Sequence, residues 1–117
     1  MPKIKVFLFG QSMLLSVVAN NLLQCPNLEV IHETEWEGIT TQLIHGPPNV
    51  LIYDLDCPAE NQILPMLYQN PDLLLIGLDV ETNRAVLIAG QEKTSLTIER
   101  MKEIVETAAL DEQPESQ

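Results

Sequence analysis

The chain has few basic residues. Its 117 residues include six Lys and Arg against 17 Asp and Glu, which gives a formal net charge of −11. Proteins that bind nucleic acids or anionic membrane surfaces use clusters of Lys and Arg to displace counterions. We therefore expect no nucleic-acid partner and no membrane partner. A protein partner or a small ligand fits this charge better.

Cysteine is scarce as well. The chain has two, Cys25 and Cys57, without a Cys-x-x-Cys spacing, and two histidines, so we expect no metal cluster and no cofactor. No apolar run approaches the ~18 residues that a membrane-spanning helix needs. The apolar opening segment is interrupted by Gly10, Gln11 and Ser12, which disfavours a secretory signal. These absences predict a cytoplasmic protein with free thiols.

Apolar runs alternate with helical patterns along the first two thirds of the chain. The runs 4–9, 28–31, 50–53 and 73–78 predict four strands. Three segments between them have apolar residues at helical spacing, namely Leu14, Val17, Val18 and Leu22, then Trp36, Ile39 and Leu43, then Ile63, Leu64, Leu67 and Tyr68. Pro65 in the third segment is compatible only with the first turn of a helix. This alternation predicts a parallel sheet with helices on both faces.

The last third departs from the alternation. Only the four residues 80–83 separate the fourth strand from the apolar run 85–90, whereas a parallel crossover needs a dozen or more. A fifth strand should therefore run antiparallel to the fourth, in a hairpin. A final helix should follow, with Thr97 as its cap and a buried face made of Ile98, Met101, Val105 and Ala108.

The third apolar run ends in two carboxylates. The segment VLIYDLDCP places Asp54 and Asp56 directly after the strand, with Pro58 beyond them. Ligands of open α/β sheets bind outside the carboxyl ends of the strands, so Asp54 is a candidate site residue. The simplest structural alternative is that Asp54 caps the loop after its strand.

Three segments share the register of a known family. IKVFLFGQSMLLSVVANNLL, the following CPNLEVIHE and the ungapped PNVLIYDLDCP resemble the receiver domains of two-component response regulators, in particular those that precede helix-turn-helix output domains. The resemblance covers residues 4–78. It implies a flavodoxin-like three-layer α/β sandwich with four parallel strands in the order 2-1-3-4, to which the hairpin adds an antiparallel fifth strand and a C-terminal helix. We expect one receiver-like domain over residues 1–110 and an acidic, disordered tail over 111–117.

The resemblance assigns Asp54 to the position of the phosphoacceptor. The family binds Mg²⁺ with that residue and two acidic residues after strand one, where this chain has Gly10 and Gln11. The family's hydroxyl residue at the end of strand four is replaced by Gly77 and Leu78, which cannot donate a hydroxyl. Without the acidic pair, the charge on a transferring phosphoryl group loses its main neutraliser.

The family's lysine after strand five also has no usable equivalent. Lys93 is the nearest candidate, but an antiparallel fifth strand would run away from Asp54 and leave Lys93 about 20 Å from it. The family's fourth helix is absent too. The resemblance therefore implies a stand-alone pseudo-receiver, a signalling and protein–protein interaction module without enzymatic activity.

Two alternatives remain open. A small molecule could be sensed in a pocket formed by Gly10, Gln11 and Asp54, with Asp56, Gly77 and Leu78 as neighbours. The segment VLIYDLDCP also resembles the DxDxT signature of haloacid-dehalogenase-like phosphatases, which implies Asp54 as nucleophile and Asp56 as general acid and base. Pro58 stands where that signature has Thr, and that motif lies on the first strand of its own family.

The apolar run of the fifth strand suggests self-association. If this strand lies at the edge of the sheet, its backbone hydrogen-bonding groups are unpaired and can pair with another chain. We therefore expect a homodimer through this hairpin or the last helix, with Ala85, Val86, Leu87 and Ile88 as the interface candidates.

Overall fold

The structure, a computed structural model, describes residues 4–55, 60–69, 73–89 and 92–111. Strands and helices alternate through the first part of the chain and give way to consecutive strands near its end. The elements in chain order are β1 (Ile4–Phe9), α1 (Met13–Leu23), β2 (Leu28–Glu33), α2 (Trp36–Leu43), β3 (Val50–Asp54), α3 (Glu60–Gln69), β4 (Leu74–Asp79), β5 (Arg84–Ala89), β6 (Glu92–Leu96) and α4 (Ile98–Asp111).

All the strands belong to one mixed sheet with the order β2-β1-β3-β4-β5-β6. The strands β2, β1, β3 and β4 are parallel, and β5 is antiparallel to β4. The predicted order of the four parallel strands, the antiparallel hairpin and the C-terminal helix are therefore confirmed. The central strands β1, β3 and β4 consist mostly of apolar residues because both of their faces are covered.

The hairpin contains one more strand than the sequence predicted. Strand β6 pairs antiparallel with β5, from Ala85 opposite Leu96 to Ala89 opposite Glu92. The expectation that β5 forms an open edge is therefore wrong. Its four interface candidates lie in an internal strand, where Ala85 and Ile88 are buried and Val86 and Leu87 are half-buried. Strand β6 was not predicted because its sequence, EKTSL, contains no apolar run.

Helices cover both faces of the sheet. On one face, α1 and α4 pack against alternate strand residues in a cluster that includes Leu15, Val18, Leu22, Ile52, Ile76, Met101 and Val105. On the other face, α2 and α3 cover a second cluster that includes Phe7, Ile39, Leu51, Tyr53, Ile63 and Leu75. Trp36 of α2 packs edge-on against Phe9, with ring centroids 5.3 Å apart. The molecule is thus an α/β structure of three layers.

The starts of α1 and α4 follow the sequence signals. The hydroxyl of Ser12 accepts a hydrogen bond from the backbone N–H of Leu15 at 3.0 Å, and Thr97 Oγ1 accepts one from Arg100 N–H at 3.1 Å. Both are N-cap bonds, which satisfy a backbone donor that lacks a helical partner. The prediction that Thr97 caps the last helix is confirmed.

The predicted position of Pro65 was wrong, and α4 extends one residue beyond the expected end of the domain. Pro65 is not in the first turn of α3, because the helix begins at Glu60 and includes Pro65 in its interior. Pro65 and Asn61, whose carbonyl loses its helical donor, are both exposed, so water can replace the missing bond. The tail was expected to begin at residue 111, but Asp111 is the last residue of α4. Residues 112–117 lie outside the described residues.

The helix α4 should depend on Met101 for its attachment to the sheet. Met101 is fully buried, so Met101→Ala removes apolar contacts, leaves a cavity and should lower the free energy of unfolding by about 2–4 kcal/mol. The matched control on the same helix is Glu103→Ala, which removes only an exposed ion pair with Arg100 and should cost less than about 0.5 kcal/mol. Urea unfolding followed by circular dichroism measures both, and equal losses would contradict this role of Met101.

Candidate functional site

Asp54 ends β3 at the carboxyl edge of the parallel strands. Its side chain is 8% exposed and turns toward the loop that joins β1 to α1. Oδ2 accepts hydrogen bonds from the backbone N–H groups of Gln11 at 3.2 Å and Ser12 at 3.1 Å. Oδ1 accepts one from the Ser12 hydroxyl at 2.6 Å. The carboxylate therefore joins the end of β3 to the N-terminus of α1.

The β1–α1 loop is shaped to receive this carboxylate. Gly10 has φ of +145°, a conformation that favours glycine. A Cβ atom at Gly10 would lie 2.2 Å from Asp54 Oδ2 and 2.8 Å from Asp54 Cγ, closer than nonbonded atoms can approach. Because three hydrogen bonds hold the carboxylate, it cannot move aside. The close approach of loop and carboxylate thus requires glycine at this position.

The same loop is tied to β2. The backbone N–H of Gly10 donates to the carbonyl oxygen of Glu33 at 3.1 Å. The carbonyl oxygen of Gly10 lies 3.1 Å from Nε2 of His32, which donates in the tautomer that protonates this nitrogen. Contacts from β2 and β3 therefore fix the loop from both sides.

The sequence placed Gly10, Gln11 and Asp54 together, and the structure does so as well. The three residues were predicted to form a pocket. In the structure, the backbone N–H of Gln11 donates to Asp54, and the Gln11 side chain is exposed. The structural alternative predicted that Asp54 caps the loop after β3. Its observed hydrogen bonds go instead to the earlier loop between β1 and α1. The bond between the Ser12 hydroxyl and Asp54 was not predicted from the sequence.

Gly77 and Leu78, near the end of β4, are covered by side chains or buried in the core. Gly77 lies under Leu55, whose Cδ2 atom would be 2.3 Å from a Cβ at that position. Leu78 pairs with Asp54 across the sheet but is fully buried in the cluster beneath α1 and α4. Neither residue offers a polar group beside the carboxylate, and Leu55 is a neighbour that the sequence did not indicate. Asp56, the other expected neighbour, lies outside the described residues.

Lys93 is remote from Asp54. It lies in β6 opposite Ile88, which pairs with Leu75 of β4, and Leu75 pairs with Leu51 of β3. The backbone of Lys93 is therefore three strands and three residue positions from Asp54, a separation of about 17 Å. Lys93 was expected to lie beyond the end of β5, but it belongs to the separate strand β6.

The described carboxylates near the site are not arranged as metal ligands. Among residues 4–55, 60–69, 73–89 and 92–111, no group of three or more His, Cys, Asp or Glu residues is placed to hold a metal ion. Across the same residues, no helix combines the length and the apolar character needed to cross a bilayer. At the end of β3, the carboxylate of Asp54 is held by hydrogen-bond donors of the β1–α1 loop.

Cys25 lies at the opposite end of α1 from this site. Its Sγ atom is 3.5 Å from Oε2 of Glu106 on α4. Partial burial raises the pKa of the Cys25 thiol, and the hydrogen bond and negative charge of Glu106 raise it further, while Lys102 acts in the opposite direction. Since the thiolate is the nucleophilic form, these effects suppress its reactivity.

Comparisons with protein-family models, with curated proteins and with solved structures give no match to this chain. Membership of the receiver family therefore stays a prediction from the three sequence segments.

Removal of the Asp54 carboxylate should destabilise the fold. Asp54→Ala leaves three donors of the β1–α1 loop without their acceptor in a nearly buried place, and we expect a loss of about 3 kcal/mol in the free energy of unfolding. Asp79→Ala is the matched control, because Asp79 accepts two backbone bonds in an exposed turn and should cost less than about 1 kcal/mol. Chemical denaturation compares the two, and an Asp54→Ala protein as stable as the control would contradict a structural role.

The reactivity of Cys25 should depend on Glu106. Glu106→Gln removes the neighbouring negative charge, lowers the pKa of the thiol and should speed alkylation of Cys25 at pH 8 by about twofold or more. Reactivity should stay below that of an unhindered thiol because burial, the larger cause, is unchanged. Peptide mass spectrometry separates Cys25 from Cys57. Glu103→Gln, on the exposed side of α4, should leave the rate unchanged, and equal rates in both variants would contradict the role of Glu106.

Proposed function

We propose that this chain is a receiver-like domain that has lost phosphoryl transfer and acts through contacts with other proteins. The observation that best supports this is the engagement of both Asp54 oxygens by the β1–α1 loop. In receivers that are phosphorylated, the equivalent loop supplies the acidic residues that bind Mg²⁺. Here the same loop supplies hydrogen-bond donors that hold the carboxylate in place.

The proposal follows from what phosphoryl transfer requires. A carboxylate oxygen must approach phosphorus in line with the leaving group, and a cation must neutralise the charge on the equatorial oxygens. Oδ1 and Oδ2 of Asp54 are directed at Ser12 and Gln11 instead. Attack would break these bonds, and Gly10 and Gln11 offer no carboxylate to a cation. Both the approach and the charge compensation are therefore disfavoured.

The fold supports the same ancestry. The strand order β2-β1-β3-β4 and the helices on both faces match a flavodoxin-like sandwich, the architecture that the receiver resemblance implies. The β4–β5–β6 arrangement stands where receivers have a helix and a parallel strand. A partner that recognises the usual receiver output surface would not find it here, so the contacts of this domain must use another surface.

Phosphorylation in vitro tests the loss of chemistry. The purified chain is incubated with acetyl phosphate and Mg²⁺ beside a phosphorylatable receiver as positive control, and intact mass spectrometry detects an added phosphoryl group. We expect labelling of the control receiver and none of this chain. Asp54→Asn identifies any label as specific to Asp54. Stable labelling that disappears in this variant would refute the proposal.

The interaction part of the proposal needs its own experiment. The tagged chain and its Asp54→Asn variant are used as baits in extracts of the native cell, after melting curves have shown that both are folded. We expect the same partner protein with both baits because recognition does not require an acyl phosphate. A partner that binds only after treatment with acetyl phosphate would contradict phosphorylation-independent signalling.

A further inference from the structure

The peptide group between Gly10 and Gln11 has a polar partner on each side. Its N–H donates to Oδ2 of Asp54 at 3.2 Å, and its carbonyl oxygen lies 3.1 Å from Nε2 of His32. The peptide is trans, so its N–H and C=O point in opposite directions. One planar group is therefore bound on one side by Asp54 of β3 and on the other by His32 of β2.

Both hydrogen bonds of this peptide group are partly shielded from water. Gly10 itself is buried, and a buried carbonyl oxygen without a partner is costly. Because a carbonyl oxygen can only accept, its contact with His32 requires a proton on Nε2. The bond from His32 therefore satisfies the Gly10 carbonyl and fixes which ring nitrogen of the neutral imidazole carries the proton.

The charge of Asp54 acts on the bond to His32 through the peptide. A carboxylate that accepts from the N–H end polarises the peptide group, which makes the carbonyl oxygen at the other end a stronger acceptor. Hydrogen bonds in series strengthen one another in this way by about 10–30% per bond. Asp54 lies on a central strand, whereas His32 is exposed on the edge strand β2. The effect thus extends from the middle of the sheet to its edge.

The geometry of the loop links the same two side chains. The Gly10 N–H is bonded to the carbonyl oxygen of Glu33, and the Ser12 N–H is bonded to Asp54, so the peptide groups on both sides are fixed as well. A peptide group is rigid. Displacement of Asp54 therefore tilts the whole plane and misaligns the bond to His32, and hydrogen bonds weaken steeply with misalignment.

We propose that the Gly10–Gln11 peptide is a relay that couples Asp54 to His32, so that the state of each side chain sets the strength of the hydrogen bond made by the other. The relay gives Asp54 a role besides the attachment of α1. It holds the exposed imidazole in the form that donates through Nε2 and leaves Nδ1 as an acceptor. This coupling does not depend on whether Asp54 has lost phosphoryl transfer.

A double-mutant cycle tests the coupling. Asp54→Asn removes the charge and keeps an acceptor oxygen, and His32→Ala removes the donor. His32→Ala should cost less in the Asp54→Asn background, with a deviation from additivity of about twofold or more in the equilibrium constant of urea unfolding. Glu29→Ala is the matched control, because Glu29 is also exposed on β2 and lies at its other end. It should combine additively with Asp54→Asn. Additivity for the His32 pair, or an equal deviation for the Glu29 pair, would overturn the proposal.

NMR of the His32 ring gives a readout that does not depend on unfolding. The ¹⁵N resonance of Nε2 is followed at pH 8.5, where an imidazole is neutral. In Asp54→Asn the carbonyl is a weaker acceptor, so this resonance should move toward the value of a free imidazole. Asp79→Asn, which changes a carboxylate that accepts two backbone bonds in an exposed turn, should leave it in place. An Nε2 resonance that is the same in both variants would contradict the relay.

Discussion

The position of α1 depends on the carboxylate of Asp54. The Ser12 hydroxyl donates to Asp54 Oδ1 and accepts from Leu15 N–H, so one side chain links the strand end to the first turn of the helix. Hydrogen bonds in such a chain polarise and strengthen one another. The first buried residue of α1, Leu15, is therefore placed over the sheet by the same contacts that occupy the carboxylate. The same hydrogen bonds therefore attach α1 to β3 and occupy both oxygens of the Asp54 carboxylate.

The second constraint is the direction of the chain at the end of the sheet. Strand β5 reverses the direction of β4, and β6 reverses it again, so β6 runs parallel to β4. The chain therefore arrives at Thr97 on the carboxyl edge, where α4 begins and can run back across the sheet beside α1. The antiparallel pair β5–β6 lies where a parallel unit would have a crossover helix, and the following helix α4 still packs in the core.

The parallel part of the fold could be predicted because its strands are buried on both faces and thus consist of apolar runs. Strand β6 could not be found in this way, because an edge strand such as EKTSL needs only one partner and tolerates charge. The sequence indicated the neighbours Gly10 and Gln11 of Asp54. It could not show that their backbone occupies the carboxylate, since main-chain donors leave no pattern in residue types. Ser12 was detectable as a cap, but its second bond depends on a residue 42 positions away.

The antiparallel and parallel parts of the sheet differ in how far apart in sequence their paired strands lie. Across β4 and β5, Asp79 pairs with Arg84, and the short turn between them is easily closed. Across β1 and β3, Val6 pairs with Val50, which requires a much longer loop to close at a higher entropic cost. The antiparallel meander can therefore form early from local contacts, while the parallel half must wait for distant segments to meet. Strand β6, which the sequence did not predict, thus belongs to the part of the sheet whose local pairing favours early folding.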